Sequence, residues 1–470
     1  MTDQLSVNAN YRPILFAITI AVFMCLLDSH IVRICLPVIS GDFKISSAQA
    51  AWINLAYLLV VTPGLPVFGK ISDIIGARKI FITGYFIFIT GSIFCAISPS
   101  YYFLVISRFI QGLGGAMIIS SGPSMIPEYI PADKRGFAFG LQAMAAGLGI
   151  SLGAPLGGIL TEMLSWRYIF YINVPVAALG IIMAIKYIPP EIHIERMKNF
   201  FKKFDTAAGL YLYSCLVFIT VALSLISKLK TGFAQIFLFT ALSLIFMVLF
   251  LRLEKKCTEP LIDSSLFSKP FILLIFSTFI GYILMSGNSF MMPFYLMSSL
   301  GLTPSQSGFM IMVFSLSFSF FSAVAGKIAD KTDPKILGSF GMLMTAVSFA
   351  FFVFVIGNRS VYQTAIFLFL YGSAFAFFVS PSNKLLISYV PKNKQGVSNG
   401  IYRTSVFLAS LIGLAIYGSL SDHVTPSAMA PLFFNIYMYS IFLPVISFIV
   451  LYFSRLPSLP AVEAAGSQRS

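Results

Sequence analysis

The sequence is short of charge. Lys and Arg number 31 and Asp and Glu 17, so charged side chains make up 10% of the 470 residues. Soluble globular domains usually carry roughly 25%. Acids are the scarcer sign, and there are three histidines and two tryptophans. The five cysteines (Cys25, Cys35, Cys95, Cys215 and Cys257) show no C-x-x-C spacing, which argues against a disulfide framework or a zinc centre. His30, His193 and His423 do not cluster, and H-E-x-x-H does not occur. These shortages exclude a soluble enzyme, a disordered chain and a secreted disulfide scaffold. No cofactor, no metal and no enzymatic activity are expected.

What the chain has instead is apolar length. Hydrophobic residues make up 58% and the mean hydropathy is +0.89. A helix needs about 20 apolar residues to cross a bilayer core of ~30 Å. Fourteen such segments are readable, near 14–36, 50–70, 79–98, 101–123, 136–159, 166–188, 207–227, 233–252, 270–296, 304–328, 335–357, 362–386, 396–420 and 433–454. They lack the ~10-residue alternation of membrane strands. The first run, from Ile14 to Leu36, is too long for a cleavable signal and reads as a first span. The expected class is an all-α polytopic membrane protein.

The net charge of +14 is a topology signal rather than a nucleic-acid footprint. With the N-terminus in the cytoplasm, cytoplasmic loops and termini hold 23 of the 31 Lys and Arg, and outer loops and edges hold five. That bias follows the positive-inside rule. It places both termini in the cytoplasm and the chain in the cytoplasmic (inner) membrane.

Two strings recur. Gly69-Lys70-Ile71-Ser72-Asp73 closes span two, and Gly326-Lys327-Ile328-Ala329-Asp330 closes span ten, 257 residues later. Pro131-x-x-Lys134-Arg135-Gly136-x-x-x-Gly140 opens span five, and Pro391-x-x-Lys394-Gln395-Gly396-x-x-x-Gly400 opens span thirteen, 260 residues later. Two matches in near register predict a repeat. The domains expected are a six-helix bundle over 1–190, a cytoplasmic linker with inserted helices seven and eight over 191–269, a second six-helix bundle over 270–456, and a disordered tail over 457–470. Repeated bundles of this kind are typical of secondary transporters, with the substrate path near the midplane.

Four motifs, in order, carry a resemblance. Gly69 to Lys79 is similar to a G-x-x-x-D-x-x-G-R-[KR] loop, with Ala77 as a departure. Arg108-Phe109-Ile110-Gln111-Gly112-Leu113-Gly114 is similar to R-x-x-Q-G-x-G. Gly149 to Gly158 is similar to a G-x-x-x-G-P-x-x-G-G motif of antiporters, with Ala154 interposed. Trp166 to Pro175 is similar to W-R-W-I-F-x-I-N-V-P. The chain thereby resembles the major facilitator superfamily, and more narrowly its fourteen-span drug:proton antiporter branch. The resemblance implies two six-helix bundles of the major facilitator fold plus two inserted central helices.

The candidate site residues fall in three groups. Asp28 is the one acid in mid-span, nine residues before Pro37, or about 13 Å from the outer end at 1.5 Å per residue. A carboxyl group in a membrane span is a functional candidate by default. Proton coupling or substrate binding is one reading of it, and a structural hydrogen-bonding role is the other. His30 and Arg33 stand where the resemblance would place Thr and Asn. They share a helix face and lie too far round the helix from Asp28 for a direct pair. Arg33 either snorkels to the outer interface or forms a cationic patch in the path, which would suit an anionic cargo. His30 either titrates near neutral pH or packs. The resemblance associates Arg108 with proton transfer, with Gln111 one turn on, and Arg108 can hold Asp28 ionised.

In the second group, Gly69, Asp73, Gly76, Arg78 and Lys79 form a gating loop or serve as positive-inside anchors. In the third, Gly149, Gly153 and Gly157 form a small-residue stripe that allows close helix packing, next to Pro155 and Gly158. Hinge and plain packing both fit that stripe, and the resemblance implies an outer-side seal. Met285, Met291, Met292 and Met297 near Asn288 are either a plastic lining or core.

The function expected is proton-coupled secondary export of a drug, amphiphile or metabolite in exchange for protons. One mid-span acid against three cations (Arg33, Arg108, Arg403) tilts the cargo toward neutral or anionic molecules, such as a carboxylate siderophore. A symporter on the same fold is the alternative. The partners expected are a small-molecule substrate, protons and the lipid bilayer, with no nucleic acid. Nothing in the sequence names a periplasmic adaptor.

Overall fold

In a bilayer every backbone polar group must be satisfied within the protein, so an apolar chain of this kind resolves into helices. The computed structural model describes residues 11–131, 134–189, 206–225, 229–255, 268–389, 395–421 and 429–454. Among them are fourteen helices long and apolar enough to span a membrane. The first six are α1 (Tyr11–Phe43), α2 (Ser47–Ile75), α3 (Ala77–Ala96), α4 (Tyr101–Tyr129), α5 (Arg135–Met163) and α6 (Tyr168–Tyr171 continued by Asn173–Tyr187). Then come α7 (Thr206–Ser224) and α8 (Leu229–Glu254). The last six are α9 (Lys269–Ser298), α10 (Pro304–Ala329), α11 (Pro334–Val355), α12 (Val361–Ser388), α13 (Gln395–Leu420) and α14 (Met429–Ser440 continued by Phe442–Phe453). The tail 457–470 and the linker over 191–205 lie outside the described residues.

Local chemistry sets the helix starts. Ser46 and Gln49 form a capping box on α2, and Thr303 and Gln306 form one on α10. Each satisfies two backbone donors that the first turn leaves open. These two caps occupy equivalent places in the repeat. Gly76, which separates α2 from α3, has φ 108°. A side chain is strained in that region, so the tight corner of the loop requires a glycine.

The packing repeats with the sequence. In the first half α1 lies on α5, α2 on α4, and α3 on α4. In the second half α9 lies on α13, α10 on α12, and α11 on α12. The two main contacts between the halves are also related, since α5 meets α10 and α2 meets α13. The result is two six-helix bundles around a pseudo-twofold. Helices α7 and α8 pair with each other, and α7 rests against α2 and α13, at the edge of both bundles.

One expectation needs correction. Span one does not end at Pro37. Helix α1 runs through that proline to Phe43, and Lys44 ends it at φ 52°. At 1.5 Å per residue its 33 residues measure about 50 Å. Asp28 therefore sits at the helix middle. Arg33 lies ten residues from the helix end.

Candidate functional site

Five elements of the first half converge on Asp28. The carboxylate is fully buried, as is Arg108 on α4. Arg108 Nη1 donates to Asp28 Oδ2 at 2.6 Å and to Gln111 Oε1 at 2.5 Å. Gln111 Nε2 donates to Asp28 Oδ1 at 2.9 Å and to Ser92 Oγ on α3 at 2.8 Å. Asn173 on α6 donates to Asp28 Oδ1 at 2.7 Å. From α2, the Ile53 carbonyl accepts from Arg108 Nε at 3.2 Å, and the Tyr57 ring stacks against the guanidinium at 4.5 Å. The carboxylate thus accepts three hydrogen bonds from three different side chains, one of them charged. A buried ion pair is tolerable only when its remaining hydrogen-bonding capacity is met in this way. Two further ion pairs, Arg167 with Asp42 and Lys384 with Asp330, are at least partly exposed.

Glycines make this convergence possible. A Cβ at Gly112 would meet the Tyr57 carbonyl at 2.7 Å, and one at Gly91 would meet the Gln111 backbone at 2.5 Å. The helices that carry the network therefore touch backbone to backbone.

The second half carries a neutral counterpart. The 257-residue offset places Phe314 opposite Tyr57, the 260-residue offset places Tyr371 opposite Gln111, and α9, the counterpart of α1, carries Asn288 and no Asp or Glu. These residues also gather. The Phe314 and Tyr371 rings lie 5.0 Å apart, and Tyr437 on α14 donates to Asn288 Oδ1 at 2.8 Å. The ionic cluster of one half is an aromatic cluster in the other, so the buried carboxylate has no twin.

Between the halves lies a cavity. His30 and Arg33 on α1 face it from the first half, with Ile150 and Ala154 on α5. Met285, Asn288, Ser289 and Met292 on α9 and Phe314 on α10 face it from the second. Arg33 is buried, and its Nη1 donates to Ser289 Oγ at 3.0 Å across the interface. The patch reading of Arg33 fits this placement. Met285 and Met292 line the cavity, whereas Met291 packs in the core.

The glycine stripe of α5 serves α1. A Cβ at Gly149 would meet the Phe23 carbonyl at 2.7 Å, one at Gly153 the His30 Cβ at 2.8 Å, and one at Gly157 the Ile34 side chain at 2.6 Å. Gly158 faces the other way, onto the Pro304 carbonyl of α10, and Gly308 of α10 abuts Ala154 and Pro155. The string Gly149-Ile150-Ser151-Leu152-Gly153 has the G-x-S-x-G form of a nucleophile elbow. It lies inside α5 rather than at a strand-to-helix turn, so the elbow geometry is missing.

The detailed contacts between halves gather at the end of the bundle where α1 finishes. Gly158 on Pro304, the Ser305 amide on Glu162 (3.0 Å) and Ser47 Oγ on the Ser421 carbonyl (2.7 Å) all lie there. Trp166 and Arg167 tie down the same end, because Asp42 accepts from Trp166 Nε1 at 2.9 Å and the Ser98 carbonyl accepts from Arg167 at 3.2 Å. At the opposite end two bonds among the described residues each run within one half. Arg78 donates to the Ile185 carbonyl at 3.2 Å, and Lys384 pairs with Asp330 at 2.7 Å. Lys79 is exposed, Gly69 has open space beside it, and the Asp73 side chain is outside the described residues.

The α5–α10 contact makes a test. Gly158→Leu places a branched side chain against backbone, at a cost of about 1–3 kcal/mol to this closed arrangement. Tenfold per 1.4 kcal/mol then predicts a five- to hundredfold shift toward separation of that end. In reconstituted vesicles, transport should fall by about tenfold or more while the variant remains folded. Unchanged transport would show that α5 and α10 need not close on each other.

The family model for the Major Facilitator Superfamily matches residues 18–273 and 274–469. The chain belongs to the major facilitator superfamily. Among curated proteins it is 30% identical over 409 residues to the riboflavin transporter RibZ of Clostridioides difficile, covering 86% of this chain and 87% of that one. It is 28% identical over 464 residues to the putative multidrug resistance protein MdtD of Klebsiella pneumoniae, covering 97% and 96%. In fold it matches the crystal structure of a peptide transporter in complex with sulfate (TM-score 0.67, 17% identity, 93% of this chain and 94% of that one). It also matches a D-xylose–proton symporter (TM-score 0.66, 16% identity, 94% and 97%). The chain is a multi-pass membrane transporter of this superfamily, not an enzyme.

Of the site residues expected from sequence, Asp28, Arg108 and Gln111 come together in one network, and His30 and Arg33 lie on the cavity. The network also includes Asn173, Tyr57, Ser92 and Asn54, whose Oδ1 accepts from Arg108 Nη2 at 3.4 Å, and no motif marks them as site residues. Asn173 lies in the stretch that served only as a family signature. An amide five residues into an apolar span is itself a signal of an interhelical partner.

Proposed function

We propose that the protein is a proton-coupled exporter that moves small molecules out across the cytoplasmic membrane in exchange for protons. One observation carries this reading: a single fully buried carboxylate, at the middle of α1, held by one buried arginine beside an interhalf cavity. Protonation of Asp28 removes the charge that Arg108 answers, so the packing of α1 against α4 changes with proton occupancy. Helix α1 also carries His30 and Arg33 into the cavity, so it links proton and cargo without their sharing an atom. The two bundles, 1–190 and 270–456, rock about this site, with α7 and α8 flanking them. The positive-inside bias puts both termini in the cytoplasm, which makes the closed end the outer one. Gly149, Gly153, Pro155, Gly157 and Gly158 form the outer seal. Gly69, Asp73, Gly76, Arg78 and Lys79 form the inner gating loop. Likeness to a putative multidrug resistance protein supports export of a small molecule.

The direction of coupling is testable in inside-out membrane vesicles. Acidifying the vesicle interior is expected to drive uptake of a transported tracer, and collapsing the gradient with a protonophore is expected to stop it. Uptake driven by acid outside the vesicles would make the protein a symporter.

A further inference from the structure

The cavity is bordered by a buried cation that the Asp28 network does not use. Arg33 is only 9% exposed and lines the cavity. A guanidinium offers five donors, and here one nitrogen donates to a neutral oxygen, Ser289 Oγ. Asp28 lies five residues earlier on the same helix, but its oxygens are occupied by Arg108, Gln111 and Asn173. Asp and Glu do not contribute to the cavity wall. The polar side chains there are His30, Arg33, Asn288, Ser289 and Ser315. A buried charge without a counter-charge is costly unless something supplies one. The remaining wall is apolar and partly aromatic, with Met285, Met292, Pro293, Phe314 and Leu368.

We propose that Arg33, with Ser289 and His30 beside it, is an anion subsite, and that the cargo class is a monovalent organic carboxylate with a flat apolar body. The proposal rests on the exporter reading and names its substrate class. A carboxylate matches the guanidinium fork bidentately. The apolar body lies against Phe314 and the methionines, which adapt to varied shapes. A lipophilic cation would instead meet like charge. Because Ser289 belongs to the second half, an anion held between it and Arg33 contacts both halves and biases the equilibrium between their arrangements.

The test titrates the purified full-length protein in detergent with three probes that share one ring system, read by calorimetry: 1-naphthoate, 1-naphthamide and 1-naphthylmethylammonium. The acid is expected to bind about ten- to a hundredfold tighter than the amide or the amine, the range for one charge-assisted pair. Arg33→Met should erase that preference, and Arg33→Lys should keep part of it. A thermal melt verifies that the Met variant is folded. Ser289→Ala, a milder change, should weaken the acid about two- to fivefold and leave the amide unchanged. Equal affinities for the three probes, or a preference that survives Arg33→Met, would overturn the subsite. The two readings fail separately. Asp28→Asn should retain the acid preference, because Asp28 does not line the cavity. If the acid does not bind while another cargo still drives proton exchange, the subsite is wrong and the exporter reading stands.

Discussion

Arg108→Met is expected to destabilise the protein by about 3–5 kcal/mol, the range for removing one partner of a buried ion pair. Asp28 and Arg108 are both fully buried. Without the guanidinium, the carboxylate keeps only the amide donors of Gln111 and Asn173, with no positive charge beside it. Much of the cost is the stranded charge rather than the lost contact. The double variant Asp28→Asn, Arg108→Met removes both charges and should recover most of that loss. A double-mutant cycle by unfolding in mild detergent should therefore return a coupling of ~2 kcal/mol or more. Additive effects would mean that the pair is not formed in the folded protein. Proton-driven uphill export should be lost in Asp28→Asn, in Arg108→Met and in the double variant alike, which separates the stability role of the pair from its role in coupling.

The second large effect is uncoupling. Asp28→Asn keeps the shape of the side chain and an oxygen to accept from Gln111 and Asn173, but it cannot exchange a proton. Uphill export should vanish, while downhill exchange of cargo across the membrane should persist at a rate within about tenfold of wild type. That split is expected because the cavity wall is built without Asp28, so cargo binding survives. The counterpart of α1 in the other half offers no substitute, because α9 carries no Asp or Glu.

The architecture was largely legible in the sequence, and the reasons are physical. A bilayer demands about 20 apolar residues per crossing, so fourteen spans appear as fourteen runs. The two recurring strings predicted two halves, and the α1–α5 and α9–α13 contacts repeat as the strings do. Asp28 stood out because an acid in a membrane span is costly. Its partners were harder to find. Arg108 and Gln111 are marked by a motif, but Asn173 reaches Asp28, Tyr57 reaches Arg108 and Ser92 reaches Gln111 from helices whose rotation is set by tertiary contacts, such as Gly112 against Tyr57. Local sequence does not encode those contacts. The end of α1 was misplaced for a related reason. Pro37 signals a boundary when no neighbour holds the helix, whereas α1 continues past it to Phe43 and is tied at that end by Trp166 and Asp42. The contact of Arg33 with Ser289 comes from the packing of α1 against α9, which local sequence does not encode.

The central claim is that cargo exchanges for protons through Asp28. The most direct measurement uses purified protein in liposomes that enclose a pH-sensitive dye, with cargo added to wild type and to Asp28→Asn. Wild type is expected to move protons against the direction of cargo, and the variant is expected to move none while still exchanging labelled cargo. Proton movement that persists in Asp28→Asn, or that runs in the same direction as the cargo, would contradict the account.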